Sequence, residues 1–316
     1  MLLVYGWYGR GNIGDELMKQ ALICLFEPVG VELRFIDHVT ISDLQASQGI
    51  IFGGGSILND APDITPDALD SLLTATVPVF YMGVGIDYDP HQTHAELLKV
   101  ARVIARRTQP DTFGQFVPDL VYSLAHSAGL ARADGILIVP NVEVLPTSAM
   151  SNWSQLAWLR YVDELSQVLD QLDECHQRIR FLTMCKNACQ DDNWATSSIV
   201  SHMVRRKTTF EILRPVADIN SLVTIFRQAR CVVTQRYHGI VLAEMAGVPY
   251  VSVDHHDKLG QAVPRNGEHL SYHGVTKTQL VKSIEKAYAS SIPPYVPDPS
   301  LYHRVVDEIV CVINER

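Results

Sequence analysis

The sequence predicts an α/β protein built from two doubly wound, Rossmann-like domains. Three observations carry that prediction. The chain has 316 residues, room for two domains at roughly 150 residues each. Hydrophobic residues make up 47% and charged residues only 19%, a balance that suits many buried strands and excludes a disordered chain. Short β-rich runs also alternate with helical stretches in two successive series, the pattern of parallel sheets with helices on both faces.

In the first series, Met1–Trp7 reads as a strand and Asp15–Phe26 as a helix with Leu17, Ala21, Leu22 and Leu25 on one face. Strand Val31–Asp37 follows, then strand Gly49–Phe52, helix Pro66–Thr74 and strand Val77–Val84. His94–Arg107 reads as one helix and Phe113–Leu124 as irregular or strand. The small-residue stretch Ala125–Asp134 marks the break, giving an N-terminal domain over 1–130 and a C-terminal domain over 131–316. The second series opens on strand Gly135–Val139 and the long helix Ser154–Cys175, whose Leu156, Leu159, Val162, Leu165, Leu169 and Leu172 are expected to face inward. Strand Ile179–Met184, helix Trp194–Arg205, strand Thr208–Leu213 and helix Ile219–Ala229 follow. Strand Cys231–Thr234, helix Ile240–Ala246 and strand Val248–Val253 come next. Helices near Thr278–Ser290 and Ser300–Ile313 close the chain, the last a candidate to pack back on the N-terminal domain.

Charge and cysteine usage exclude several function classes. The formal net charge is −9, against the basic balance that duplex-DNA binding asks for. No apolar run approaches the ~18 residues of a membrane span. Met1–Gly6 has no basic start and reads as a first strand rather than a signal peptide, so a cytoplasmic protein is expected. Six cysteines are too few for a disulfide framework. Only Cys185 and Cys189 lie close together, with Cys175, His176 and His202 in the wider region, and a zinc site usually shows two close ligand pairs. The Asp254–Lys258 run and the pairs His91/His94 and His269/His273 also lack a full ligand set, so no metal and no cofactor are expected.

Ligands of doubly wound sheets sit beyond the carboxyl ends of the strands, and two such domains face each other across a cleft. The loops after the strands are therefore the places to look for chemistry. Gly9–Gly14 (GRGNIG) follows a strand and opens a helix, with Asp37 ending the second strand 23 residues later. As a dinucleotide fingerprint it is flawed. Gly6, Trp7 and Tyr8 intervene between strand and glycines, and Asp15 and Glu16 in the first helical turn would repel a pyrophosphate. Backbone N–H groups of Gly11, Asn12 and Gly14 binding another substrate group is the better reading, with a close-packing turn as the structural alternative. Gly53, Gly54, Gly55 and Ser56 form a second glycine-rich edge and Gly83–Ile86 a third, which favours a ligand floor.

The second domain supplies cations. Arg236 and His238 follow strand Cys231–Thr234 at a helix N-terminus, an anion site by construction. Lys258 follows the next strand, so adjacent strands bring it and His238 to one edge.

Five motifs in order then resemble the polysaccharide pyruvyl transferase family. They are YGWYGRGNIGDELM, IFGGGSIL, FYMGVGI, FVPDLVYSL and TQRYHGIVLAEMAGVPYVSV, with Lys258 twenty residues after His238. The resemblance runs from about Tyr5 to Lys258. It implies a glycosyltransferase-B-like pair of domains, the N-terminal one on the acceptor side and the C-terminal one on the phosphoenolpyruvate side. It implies transfer of pyruvate from phosphoenolpyruvate to a sugar of a cell-surface polysaccharide or its precursor, forming a ketal. Carried over residue by residue, His238 is the proton donor, while Lys258 and Arg106 bind phosphoenolpyruvate, with Arg107 as the other register for Arg106. The family's Arg-Asp pair reads Arg106-Arg107 here, and its Tyr-Asp-Pro-Lys reads His-His-Asp-Lys.

This agrees with the reading from the residues. A phosphate and a carboxylate both want charge-assisted hydrogen bonds from Arg and Lys. An imidazole near its working pH suits proton transfer, and Asp15 is a candidate to orient or deprotonate the sugar hydroxyl, with Glu16 as its alternative. Partners are thus phosphoenolpyruvate and a sugar acceptor, lipid-linked or nucleotide-linked forms included, with no nucleic acid. Arg205–Lys207 reads as a solvated helix end, though contact with the inner face of a membrane stays open. Two alternatives stand beside this reading: a nucleotide-sugar glycosyltransferase of B-type fold, and a non-catalytic sugar-binding member.

Overall fold

The computed structural model describes residues 1–85, 89–108, 114–124, 135–141, 152–174, 178–187, 190–204, 211–213, 218–254, 259, 266–271 and 273–315. The chain divides into two compact units. Unit 1 comprises Met1–Arg10, Gly14–Ala125 and Pro297–Arg316; unit 2 comprises Gly11–Ile13 and His126–Val296. The elements run, in order, β1 (Leu2–Tyr5), α1 (Ile13–Phe26), β2 (Leu33–Ile36), α2 (Ile41–Gln45), β3 (Ile50–Gly55), α3 (Pro66–Leu73), β4 (Val79–Val84), α4 (Gln92–Val100), β5 (Val103–Arg106) and β6 (Gln115–Phe116). They continue as β7 (Ile136–Val139), α5 (Asn152–Glu174), β8 (Ile179–Leu182), α6 (Asp192–His202), β9 (Glu211–Leu213) and α7 (Ile219–Arg227). The last are β10 (Cys231–Thr234), α8 (Tyr237–Ala246), β11 (Tyr250–Asp254), β12 (Glu268–Ser271), α9 (Lys277–Ala289) and α10 (Ser300–Asn314).

Both sheets have six strands and every pairing is parallel, so the expected α/β class with doubly wound sheets holds. Strand order in unit 1 is β2-β1-β3-β4-β5-β6, and the winding reverses between β1 and β3. Unit 2 runs β12-β11-β10-β7-β8-β9 and reverses between β7 and β10, which is the dinucleotide-fold order 3-2-1-4-5-6 read from its other edge. These reversals are the points at which ligands of such sheets bind. Central strands are mostly apolar and buried throughout, as sheets covered on both faces require: every residue of β1, β3, β4, β7, β8, β10 and β11 is buried, Arg180 of β8 and Asp254 of β11 included. The core of unit 1 gathers Leu3, Phe52, Val79 and Tyr81 under Leu72 and Leu97. In unit 2, Ile136, Phe181 and Val233 pack under Val162, Leu165, Leu169 and Ile199.

Two expectations need correction, one holds, and one edge strand was not foreseen. His94–Arg107 is not one helix: α4 ends at Val100, and Val103–Arg106 is β5, paired with β4. Val103 and Ile104 are β-branched and complete the parallel sheet, and that pairing overrides the helical pattern. The expectation of irregular chain or strand over 113–124 holds: the described residues there form the two-residue β6 and a short 3-10 helix, Leu120–Ser123. On α5, Leu156 and Leu159 are exposed rather than inward. Trp158, Tyr161, Val162, Leu165, Val168 and Leu169 make the buried stripe, because the aromatic side chains set which face packs. Finally, β12 had no sequence signal, being a short, half-buried edge strand with a charged first residue. The domain break at Ala125–Asp134 lies outside the described residues.

Candidate functional site

In unit 2 the chemistry collects at the β7–β10 reversal. Strand β10 ends at Thr234 and α8 begins at Tyr237, so Gln235 and Arg236 form the whole connection. Gln235 joins the two strand ends: its N–H donates to Val139 O at 2.9 Å, and its Oε1 accepts from Asn141 N at 3.2 Å. Thr234 Oγ1 accepts from Arg236 N and donates to Arg236 O, both at 3.0 Å. This tightens the turn until a Cβ on Gly239 would stand 2.1 Å from that hydroxyl, so glycine is required after His238. Helix α8 starts at Tyr237, three residues before the expected Ile240, so His238 falls in its first turn, and it is buried. Its ring meets Tyr237 edge-on at 5.6 Å. The first-turn N–H groups and the positive end of the helix dipole make this edge receptive to anions.

Arg236 faces a carboxylate of its own chain, which the sequence did not reveal. Its guanidinium makes a bidentate pair with Asp192, Nε donating to Oδ2 at 3.3 Å and Nη2 to Oδ1, while Nη1 donates to Gln190 Oε1 at 2.8 Å. Asp192 is fully buried at the start of α6, and its Oδ2 also accepts Met184 N at 2.8 Å and Cys185 N at 2.9 Å. The segment it gathers is in turn paired with Gly11–Ile13, which belong to the same unit. Ile13 N donates to Met184 O at 2.9 Å and Lys186 N to Gly11 O at 3.0 Å, with Asn12 bridging antiparallel to Cys185. Gly11 has φ +74° and a Cβ there would lie 2.4 Å from Lys186 O. So the backbone groups of Gly11 and Ile13 are engaged with the post-β8 segment, and this part of unit 2 holds Gly11, Asn12, Asp192, Arg236 and His238 in one connected set.

Unit 1 brings its own strand-end residues together. Gly14 and Asp15 occupy the first turn of α1, Asp15 is buried, and a Cβ on Gly55 would lie 3.5 Å from Asp15 Oδ1. Gly54 and Gly55 belong to β3 itself rather than to a loop after it. Glu16, the alternative to Asp15, accepts the Gly9 N–H and thus holds the loop. The Tyr8 hydroxyl donates to Gly53 O at 2.9 Å; burial pushes this phenol well above the ordinary value, with Asp15 and Glu16 pushing the same way. Ser56 accepts from Arg107 Nη2 at 3.5 Å, and Arg107 Nη1 donates to Asp119 Oδ2 at 3.1 Å in an ion pair with both partners almost wholly buried. Arg106, buried as well, ends β5. The two registers are therefore distinct: Arg107 joins Asp119 and Ser56, while Arg106 is the strand's terminal cation.

Lys258 lies outside the described residues, as do His255, His256 and Asp257, Cys175, His176 and Cys189, and Arg205–Lys207. The other histidine pairs have separate partners. His94 Nδ1 lies 3.0 Å from the Tyr81 hydroxyl, His91 caps α4, and His269 Nδ1 lies 2.9 Å from Ser252 Oγ. Among the described residues no helix is long and apolar enough to cross a membrane.

Comparison with known proteins bears on these edges. Residues 114–257 match the family model for polysaccharide pyruvyl transferase. The resemblance read from the motifs is thereby supported for that segment, which contains Arg236 and His238; Arg106, Asp15 and Lys258 fall outside it. No curated protein matches the chain significantly. Among solved structures, the UDP-GlcNAc 2-epimerase of Methanocaldococcus jannaschii in complex with UDP-GlcNAc and UDP is similar at TM-score 0.62 and 8% identity. That match covers 98% of this chain and 99% of the other. The S. aureus MnaA–UDP co-structure gives TM-score 0.63 at 11% identity, covering 99% and 96%. At such identities the likeness concerns the fold: two parallel sheets with helices, of the glycosyltransferase-B-like kind shared with these structures.

Proposed function

We propose that the chain is a pyruvyl transferase that moves pyruvate from phosphoenolpyruvate to a sugar of a cell-surface polysaccharide or its precursor, forming a cyclic ketal. The observation that carries the reading is His238, held in the first turn of α8 at the β7–β10 reversal and inside the segment that matches the family model. His238 gives a proton to the methylene carbon of phosphoenolpyruvate, leaving the adjacent carbon oxocarbenium-like. One sugar hydroxyl adds there and loses its proton, phosphate departs, and a second hydroxyl closes the ring with loss of another proton. Cations near the phosphate neutralise the leaving group, which is the role assigned to Lys258 and Arg106. The α8 N-terminus contributes in the same sense. Asp15, buried beside Gly55, is assigned to orient or deprotonate the attacking hydroxyl, and Ser56, Gly54 and Gly55 to line the acceptor edge of unit 1. The reading places the protein in the cytoplasm, where phosphoenolpyruvate is at hand, and it calls for no metal.

A nucleotide-sugar transferase would need an acidic residue for ribose in the C-terminal domain. Glu244 is wholly buried and already accepts from Tyr250 Oη at 2.9 Å, Asn266 N at 3.1 Å and Asn266 Nδ2 at 2.8 Å. That occupancy favours the pyruvyl reading. Phosphate release from phosphoenolpyruvate, measured with and without glycan acceptors, tests it. Release only with an acceptor is expected; none with any acceptor would leave the sugar-binding alternative.

A further inference from the structure

The Asp192–Arg236 pair points past the assignment of Arg236 as a direct anion ligand. Asp192 is a wholly buried carboxylate that receives four hydrogen bonds from two segments of unit 2: two from Arg236 and one each from the N–H groups of Met184 and Cys185. At its one end Arg236 is the residue that caps α8, and its carbonyl accepts Gly239 N at 3.0 Å, so the guanidinium's position fixes the turn that carries His238. At the other end Met184 and Lys186 hold Ile13 and Gly11. Both oxygens of this buried carboxylate accept hydrogen bonds, Oδ2 three and Oδ1 one, and its partner has two of its three nitrogens spent on it.

We propose that Asp192 is a positioning residue. It locks Arg236 as a strut between the post-β8 segment and the first turn of α8, so that the Gly11–Ile13 backbone and His238, both in unit 2, are held in one arrangement before substrate arrives. Arg236 then acts through its fork geometry rather than as a free cation offered to phosphate. The inference rests on the pyruvyl transferase reading, because the His238 edge that the strut holds is the one that reading assigns to phosphoenolpyruvate. Preorganisation of this kind matters because a misplacement of about 1 Å can remove a factor of about 100 in rate.

The test uses the full chain and two variants, Asp192→Asn and Arg236→Lys. The first keeps the shape but turns one acceptor into a donor; the second keeps the charge but loses the fork. Hydrogen exchange of the four amides at Ile13, Met184, Cys185 and Lys186 is measured beside calorimetric binding of phosphoenolpyruvate. Both variants are expected to speed exchange at those amides by about 10- to 150-fold, the range set by a lost charge-assisted hydrogen bond, with β7 and β10 amides unchanged. Phosphoenolpyruvate affinity is expected to fall by about 10- to 100-fold in both. If Arg236→Lys binds like the parent, Arg236 serves by charge alone and the inference is overturned. Unchanged exchange at the four amides, or loss of protection throughout unit 2 in both variants, overturns it too, the latter in favour of a purely structural pair. A parent chain that binds no phosphoenolpyruvate overturns the functional reading and this inference with it, whereas a binding parent matched by both variants overturns this inference alone.

Discussion

His238 owes its place to a neighbour that has no chemistry of its own. The hydroxyl of Thr234 fills the space where a side chain on residue 239 would stand, and so ties the end of β10 to the first turn of α8. Gly239→Ala should therefore lower stability by about 1–3 kcal/mol, the usual effect of overpacking, measured as a shift in the denaturant midpoint. His238→Gln keeps a hydrogen-bond donor and loses the transferable proton. Turnover should fall by about 100- to 10,000-fold, the range of general acid catalysis, while the phosphoenolpyruvate binding constant moves far less. A variant within a few-fold of the parent would make His238 a binding or structural residue and send the search for the acid to His255 or His256. Arg236 and His238 were legible because an apolar strand runs straight into them. Asp192 was not, since its partner lies 44 residues away and only the folded chain brings the two together. The one available signal was local: Asp191 and Asp192 at the head of a helical stretch, the composition of an N-terminal cap, which Asp191 indeed provides.

Elements were legible where periodicity was strong and unopposed, and were missed where the sheet decided. The segment from His94 to Arg107 shows both outcomes. Its first half is α4, with Leu97 buried; its second half is β5, because the strand completes a parallel ladder beside β4. The split matters for the site, since it carries Arg106 and Arg107 to the carboxyl end of a strand. Removing one partner of a buried ion pair costs about 3–5 kcal/mol, so Arg107→Met should lower the unfolding free energy by that order through Asp119. Helix α4 also seals His94 against β3 and β4, with its ring edge-on to Phe52 at 5.4 Å and to Tyr81 at 5.9 Å. Burial pushes this imidazole from 6.5 down to about 4, and His91 adds a smaller push the same way. The unfolded chain binds the proton first as pH falls, so the neutral buried ring contributes stability that is complete above pH 6.5 and lost as pH falls through 6.5 to about 4. The full loss is about 3 kcal/mol from a shift of this size. Thermal unfolding between pH 8 and 4 should show that slope, and His94→Gln should flatten it.

On the scale of the whole chain, neither unit is a single stretch of sequence. Unit 1 takes in Pro297–Arg316 as well as the N-terminal strands, so its fold depends on residues synthesised after all of unit 2. Helix α10 buries Tyr302, Val305, Val306, Ile309 and Ile313 in that unit. The Tyr302 hydroxyl donates to Asp119 O at 3.1 Å, and Asp119 is the carboxylate that holds Arg107 beside Ser56. The helix therefore supports the strand-end cluster at one remove. Its four buried aliphatic side chains alone contribute about 6–12 kcal/mol, at roughly 1.5–3 kcal/mol for each. That is comparable with the ~5–15 kcal/mol by which a typical domain is stable. A chain ending at Val296 should accordingly leave unit 1 unfolded while unit 2 keeps its own core of Ile136, Phe181, Val233, Leu165 and Leu169. Limited proteolysis followed by mass mapping separates the outcomes: cleavage throughout residues 14–125 with protection retained in β7, β8 and β10 is expected, and equal protection of both regions would mean that α10 is a peripheral addition. Phosphoenolpyruvate binding by the same truncated chain then tells how much of the affinity resides in the α8 edge by itself.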